Sequence, residues 1–141
     1  MKKLWMPLTF ALLLLIVACG PDTSPIEEME FPVEYETGTV TEASDEGAMI
    51  STIIQVGGYE DTIRATVVVD QDHNVVSMDI TDHNETDGWG QDAIEDQSFI
   101  DDIIENQDDL DTLDVYSGAT VTSEALFDIV RTAHEFSREV Q

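Results

Sequence analysis

Cysteine and lysine are nearly absent from this sequence of 141 residues. Cys19 is the only cysteine, so the chain can form no internal disulfide and has no thiolate metal site or cysteine nucleophile beyond that position. Lysine occurs only at positions 2 and 3, and the other cations are Arg64, Arg131 and Arg138. With 31 acidic residues the formal net charge is −26. Such a surface repels nucleic acid, which excludes nucleic-acid binding as a function.

The spacings of several common ligand sites are also missing. The three histidines, His73, His83 and His134, lack the spacing of zinc ligands. The acidic stretch 101–111 lacks the residue pattern of a calcium-binding loop. Neither a P-loop nor a dinucleotide-binding glycine pattern occurs. The sequence therefore predicts no metal site and no catalytic residues of a recognisable kind.

The first nineteen residues differ in kind from the rest. Lys2 and Lys3 precede an apolar run from Leu4 to Ala18, which is shorter than the roughly 20 residues that span a bilayer. A basic start followed by a short apolar run and small residues is typical of an export signal. Loss of the two lysines with this signal would take the net charge from −26 to −28. We expect salt to stabilise so acidic a domain, because it screens the repulsion between like charges.

The end of the apolar run carries a second signal. The residues Ile16-Val17-Ala18-Cys19 resemble the lipobox of bacterial lipoproteins. That resemblance implies cleavage before Cys19 and lipidation of Cys19 itself. The protein is then expected to be extracytoplasmic and anchored to the outer face of the cell membrane.

Composition divides the remaining chain into two parts. Residues 20–46 contain Pro21, Pro25 and Pro32, many acids and few apolar residues, which predicts an acidic flexible tether. A flexible segment of about 25 residues has a root-mean-square span of roughly 25–30 Å. From about residue 47 the pattern is globular, which predicts one domain over residues 47–141.

Hydrophobic periodicity in this domain predicts an α+β fold, a small antiparallel sheet with helices packed on it. Alternating apolar residues predict a hairpin of strands over 62–70 and 76–80, with another strand before it at 49–56. A helix is predicted over 92–106, broken near Ser98. The clearest helix is predicted over 121–139, where the apolar residues recur with helical period.

The start of this last helix suggests a place for an anion. Thr122 fits an N-cap, and Val121 and Leu126 would then form a hydrophobic staple. Thr120 would lie two residues before the cap, where a phosphate on its hydroxyl would meet free N–H groups and the positive end of the helix dipole. From these residues alone, a plain turn before a capped helix is the preferred interpretation, because Ser-Gly-Ala-Thr is made of ordinary turn residues.

Three motifs resemble one known family across residues 47–134. They are Gly57-Gly58-Tyr59, then His83-Asn84-Glu85-Thr86-Asp87-Gly88-Trp89-Gly90, which is similar to HxETPGxG, and Asp114-x-x-Ser117-Gly118-Ala119-Thr120-x-Thr122-Ser123. The family is the FMN-binding domain of the covalent-flavin subunits of the sodium-pumping NADH:quinone reductase and the Rnf complex. It also occurs in small extracytoplasmic lipoproteins. Asp87 stands where the family has proline.

The resemblance implies covalent FMN, joined to the hydroxyl of Thr120 through a phosphodiester by a separate FAD-dependent FMN transferase. Asp114 would belong to the sequence that the transferase reads, together with the other residues of that motif, Ser117, Gly118 and Ala119. The further cofactor-binding residues that the resemblance implies are Glu85, Thr86 and Gly88, which would line the flavin side of the site, and Trp89. Trp89 would stack near the flavin ring or cover the core, and Tyr116 and His83 are weaker candidates for flavin contacts.

We therefore interpret the sequence as that of a lipid-anchored electron-transfer flavoprotein rather than a stand-alone enzyme. Its expected partners are redox proteins in or near the membrane, with basic docking patches that complement its charge. One alternative is a module that binds a ligand or flavin without a covalent bond. The other is a flavin-dependent reductase of a small extracellular acceptor.

Overall fold

The computed structural model describes residues 24–141. The predicted export signal and Cys19 lie outside the described residues. Among the described residues, none of the helices combines the length and the apolar character needed to cross a membrane.

Five antiparallel strands form one sheet in which each strand pairs with its neighbour in the chain. They are β1 (Val33–Glu34), β2 (Thr39–Asp45), β3 (Met49–Gly57), β4 (Thr62–Asp70) and β5 (Val75–Asp82). Every second residue of β3 and β4 is buried, because alternate side chains of a strand point to the same face. The three strands predicted from the sequence are confirmed, but β5 buries Val75 and Met78 and exposes Val76, so its predicted alternation is wrong.

Three helices cover the buried face of the sheet: α1 (Gly90–Glu95), α2 (Gln97–Glu105) and α3 (Thr120–Val140). Short 3₁₀ turns occur at Pro25–Glu28 and Leu110–Thr112. The predicted break in the helix over 92–106 is present at Asp96, whose carboxylate accepts hydrogen bonds from the amides of Ser98 and Phe99. Asp96 thereby caps α2 and sets its direction against α1. The α+β prediction is confirmed.

The apolar stripe of α3 forms the centre of the core. Leu126, Ile129, Val130 and Phe136 are completely buried, and α3 packs mainly on β3 and β4. The N-terminal end of α3 thus lies at one end of the sheet, near the turn between β3 and β4. That end carries the candidate site.

The second half of α3 is joined to β5 through Gln107. Its side-chain oxygen accepts a hydrogen bond of 2.6 Å from the amide of Val75, and its nitrogen donates to the carbonyl of the same residue. His134 Nε2 lies 2.9 Å from that side-chain oxygen. Burial lowers the pKa of His134, and the positive charge of Arg138 lowers it further.

The prediction of a flexible tether over residues 20–46 is wrong for residues 25–45. Val40 in β2 is completely buried, Ile26 is buried, and the Phe31 ring packs 6.2 Å from that of Phe136. The segment reads as polar because β2 contributes few side chains to the core. Its strand conformation depends on pairing with β3, which lies later in the chain.

The predicted N-cap at Thr122 is also wrong. α3 begins at Thr120, and Ala119 precedes it without a side-chain cap. Val121 is 48% exposed, so it forms no staple with the buried Leu126. The Thr122 hydroxyl instead donates to Glu85, a residue that is distant in the sequence.

Candidate functional site

A cavity of about 510 Å³ opens where the N-terminal end of α3 meets the turn after β3 and the loop after β5. These three segments supply all of its lining residues: Tyr59, Glu60, Glu85, Thr86, Trp89, Gly90, Gly118, Ala119, Thr120, Val121 and Thr122. The structure therefore brings together all three motifs that the sequence analysis selected.

Thr120 occupies the first position of α3 on the lining of this cavity, and it is exposed. The amides of residues 120–122 have no acceptor within the helix, because the first turn of any helix lacks one. They carry the positive end of the helix dipole. A phosphate attached to the Thr120 hydroxyl would thus be close to several hydrogen-bond donors.

Gly118 and Trp89 form one wall. Gly118 has a φ of 79°, a left-handed conformation that disfavours any side chain. A β-carbon at this position would lie 2.9 Å from both Cε3 and Cζ3 of Trp89, so the indole ring packs directly on the glycine backbone. Trp89 remains 60% exposed, and its ring lines the cavity.

Glu85 is part of the lining and is only 6% exposed. Its Oε1 accepts hydrogen bonds from the amides of Tyr59 at 2.9 Å and Glu60 at 3.3 Å. Its Oε2 accepts from the Thr122 hydroxyl. Both oxygen atoms of Glu85 are therefore already bonded to protein donors.

Two glycines make room for this carboxylate. A β-carbon at Gly58 would overlap Glu85 Oε1, and one at Gly90 would lie 2.6 Å from Glu85 Oε2. Any larger residue at either position would displace the carboxylate, so both glycines are part of the site's construction.

The loop after β5 is organised by Thr86 and Gly88. The Thr86 hydroxyl donates to Glu60 Oε1 at 2.7 Å, and its carbonyl accepts from the amides of Trp89 and Gln91. Gly88 has a φ of 79°, which turns the chain immediately before Trp89. Thr86 lines the cavity and Gly88 does not, so the contribution of Gly88 is to the backbone turn.

Four further residues considered from the sequence do not line the cavity. Asp114 and Ser117 are exposed on the surface beside it. The Tyr116 ring packs edge-on against Phe99, with centroids 5.3 Å apart, and thus faces the core. His83 Nδ1 accepts from the Glu85 amide and is directed at its own loop.

The lining also contains residues that were not predicted from the sequence as part of the site. Tyr59, which is 68% exposed, was noted only as the end of a glycine pair, and Glu60 was not singled out. Val121 and Thr122 were assigned to a helix cap instead. The Gly57-Gly58 break before Tyr59 was the available signal, since paired glycines permit close approach of other groups.

The cavity is negatively charged. Its lining contains Glu60 and Glu85 but no lysine, arginine or histidine. Arg131 is held elsewhere by Asp111 and Asp128, each at 2.8 Å. Within residues 24–141, no group of three or more histidine, cysteine, aspartate or glutamate side chains is placed to hold a metal ion.

Residues 58–135 match the FMN-binding domain family. That range is more than half of the chain, and it contains every residue of the cavity lining. The chain belongs to the FMN-binding domain family. No curated protein and no solved structure matches the chain at a significant level. The family assignment confirms the resemblance derived from the motifs and makes this a flavin-binding protein.

The residues of this FMN-binding domain fit the cofactor. The cavity volume lies within the roughly 300–1,000 Å³ of small-molecule sites. Tyr59 and Trp89 offer aromatic surfaces to a flavin ring, and the start of α3 offers N–H groups to a phosphate. Thr120 is both the first residue of α3 and part of the lining.

Proposed function

We propose that this FMN-binding protein is an extracytoplasmic electron carrier that holds FMN through a phosphodiester on Thr120 and is anchored by a lipid on Cys19. One observation carries the proposal: Thr120, the exposed first residue of α3, lines a cavity whose lining contains no cationic side chain. Each part of the proposal has its own support.

The charge of the cavity favours covalent attachment. A phosphate monoester carries a charge of about −1.5 to −2 at neutral pH, and proteins commonly bind it with arginine or lysine. Here the lining supplies two carboxylates, and the groups that could attract a phosphate are the amides at the start of α3. An ester bond to Thr120 would remove one ionisable oxygen from the phosphate. It would also retain the cofactor without a cationic site.

The bond requires a separate enzyme. A threonine hydroxyl is a weak nucleophile without an activating base, and the nearest buried carboxylate, Glu85, is already bonded to three donors. In the transfer, the Thr120 oxygen would bond to the FMN phosphorus of FAD, the pyrophosphate bond would break, and AMP would leave as the hydroxyl loses its proton. Asp114 and Ser117 are exposed beside the cavity, where an FAD-dependent FMN transferase could read them.

The side chains of the site favour a carrier over a reductase. FMN supplies one- and two-electron redox chemistry when bound, and the protein supplies orientation and shielding from water. Trp89 and Tyr59 would cover the ring, and the first amides of α3 would face the phosphodiester. The lining has no histidine, cysteine or lysine, and Glu85 is already bonded to three protein donors. This leaves Tyr59 and Glu60 as the titratable side chains that could exchange protons with a small substrate.

The anchor would hold the domain close to the membrane. Five residue steps separate Cys19 from Ser24, the first described residue, and they reach about 17 Å at full extension. Since residues 25–45 pack on the domain, they cannot supply the longer reach expected of a tether. Redox partners in or near the membrane would lie within this short reach. Basic docking surfaces on those partners would complement the negative charge of the domain.

The test is co-expression of the chain with an FMN transferase, followed by denaturing gel electrophoresis with in-gel flavin fluorescence and mass spectrometry. We expect fluorescence in the wild type and in Thr112→Ala, an exposed threonine outside the cavity, and none in Thr120→Ala. Fluorescence that survives in Thr120→Ala would place the flavin elsewhere, and an unmodified Thr120 peptide in the wild type would refute covalent attachment. Labelling with radioactive palmitate, lost in Cys19→Ala, tests the anchor separately. Steady-state turnover of a small acceptor without a partner protein would favour the reductase instead.

A further inference from the structure

Glu85 is the only buried carboxylate among residues 24–141. Its three hydrogen bonds come from two different segments, the turn after β3 and the first turn of α3, while Glu85 itself belongs to the loop after β5. One carboxylate therefore connects all three segments that line the FMN cavity. The loss of its side chain would leave two amides and a hydroxyl without these acceptors.

The charge of this carboxylate has no cationic partner in the described part of the chain. All three donors are neutral groups, and the ion pairs formed there all belong to Arg131. Because the side chain is buried, water and salt screen its charge less than they screen an exposed one.

We propose that Glu85 is a positioning residue that fixes the walls of the FMN cavity and whose unpaired negative charge lowers the reduction potential of FMN bound there. The second half of this inference rests on the proposed function. Reduction by dithionite that delivers two electrons, with uptake of one proton from water, adds one negative charge to the cavity. A fixed negative charge in the wall opposes that addition.

Substitution by glutamine separates the two roles. Glu85→Gln keeps an oxygen that can accept from the amides of Tyr59 and Glu60. Its nitrogen can donate to Thr122, whose hydroxyl is able to accept as well as donate. This variant thus removes the charge and retains the connection. Glu85→Ala removes both, and Thr122→Val removes one hydrogen bond and leaves the charge.

The charge is tested by spectroelectrochemical titration of the flavinylated full chain at one salt concentration. We expect a more positive midpoint potential in Glu85→Gln than in the wild type. The shift should exceed that of Glu60→Gln, which removes an exposed charge from the same cavity. It should be several-fold larger than that of Glu105→Gln, at the far end of α2. A Glu85→Gln potential equal to that of Glu105→Gln would overturn the electrostatic role.

The connection is tested in the same chain without flavin, by amide hydrogen exchange. Exchange at residues 59 and 60 should be at least tenfold faster in Glu85→Ala and close to the wild-type rate in Glu85→Gln. If Glu85→Ala does not fold, Thr122→Val should still accelerate exchange in the first turn of α3. Unchanged exchange in the variants that fold would overturn the positioning role. This measurement is made without flavin, so it tests the positioning role even if the wild type carries no FMN. The absence of FMN from the wild type would contradict the proposed function and leave the test of the positioning role intact.

Discussion

Gly118 offers a sensitive test of how the cavity wall is built. Three glycines share the same left-handed backbone: Gly47, Gly88 and Gly118, with φ values of 81°, 79° and 79°. A β-carbon at Gly47 or Gly88 would meet no atom within 4 Å, whereas one at Gly118 would lie 2.9 Å from the Trp89 ring. The three alanine variants therefore impose the same backbone strain, and only Gly118→Ala adds a collision.

The expected losses follow from these two contributions. Left-handed strain in alanine costs about 1–2 kcal/mol, which applies to all three variants. Displacement of the packed ring adds about 1 kcal/mol for Gly118→Ala, at the low end for overpacking because Trp89 is half exposed and can move. At roughly 4 °C per kcal/mol for a domain of this size, Tm should fall by roughly 4–8 °C in Gly47→Ala and Gly88→Ala. It should fall by roughly 8–12 °C in Gly118→Ala.

Circular dichroism at fixed salt measures these Tm values, and tryptophan emission reports on the ring. In a chain that begins at residue 20, Trp89 is the single tryptophan. We expect its emission maximum to move to longer wavelength in Gly118→Ala and to stay unchanged in Gly47→Ala. Equal Tm losses in the three variants, with unchanged emission, would refute the packing of Trp89 on Gly118.

Two further predictions concern pH and salt. Burial lowers the pKa of His134 in the folded state, so the unfolded chain binds a proton more readily, and stability is lost as pH falls below about 6.5. Between pH 8 and 5.5 the Tm of His134→Gln should fall less than that of the wild type, with His83→Gln as the control; identical slopes would argue against this. Raising KCl from 0.1 to 1 M shortens the screening length from about 10 to about 3 Å, so Tm should rise. The rise should be smaller after substitution of the exposed acids Asp101, Asp102 and Glu105 by their amides, and a flat or falling Tm would contradict the expected self-repulsion.

Local patterns were sufficient to predict β3, β4, β5 and α3. In β3, β4 and α3 the side chains that enter the core recur with the period of the element itself, as in Ile63, Ala65 and Val67 of β4. β5 departs from this period, because Val75 and Met78 are buried three residues apart where its register against β4 shifts. β1 and β2 lack such a pattern. β2 has the sequence Thr-Val-Thr-Glu-Ala-Ser-Asp, in which only Val40 is fully buried, so its pairing with β3 stabilises it and its own sequence gives little sign of a strand.

The start of α3 shows the same limit of local sequence patterns, here for a single residue. Thr122 has the residue type and spacing of an N-cap, and a local interpretation assigned it that role. Its hydroxyl instead bonds to Glu85, a contact that exists only after the loop beyond β5 has folded against the helix. Tertiary packing decides whether such a hydroxyl bonds to a local or a distant partner. The spacing of residues in a motif carries no information about that packing.

The motif around Thr120 combines two physical requirements that its sequence cannot separate. Gly118, Ala119 and Thr120 line the cavity and must leave room for a flavin, whereas Asp114 and Ser117 are exposed and are not part of the lining. A residue needed only to hold the cofactor has no reason to lie outside the cavity. The exposed members of the motif are therefore better explained by recognition during attachment, as proposed, and the enclosed members by accommodation of the attached group. On the proposed function both are needed, because an enzyme would join FMN to Thr120 in a cavity whose lining has no cation.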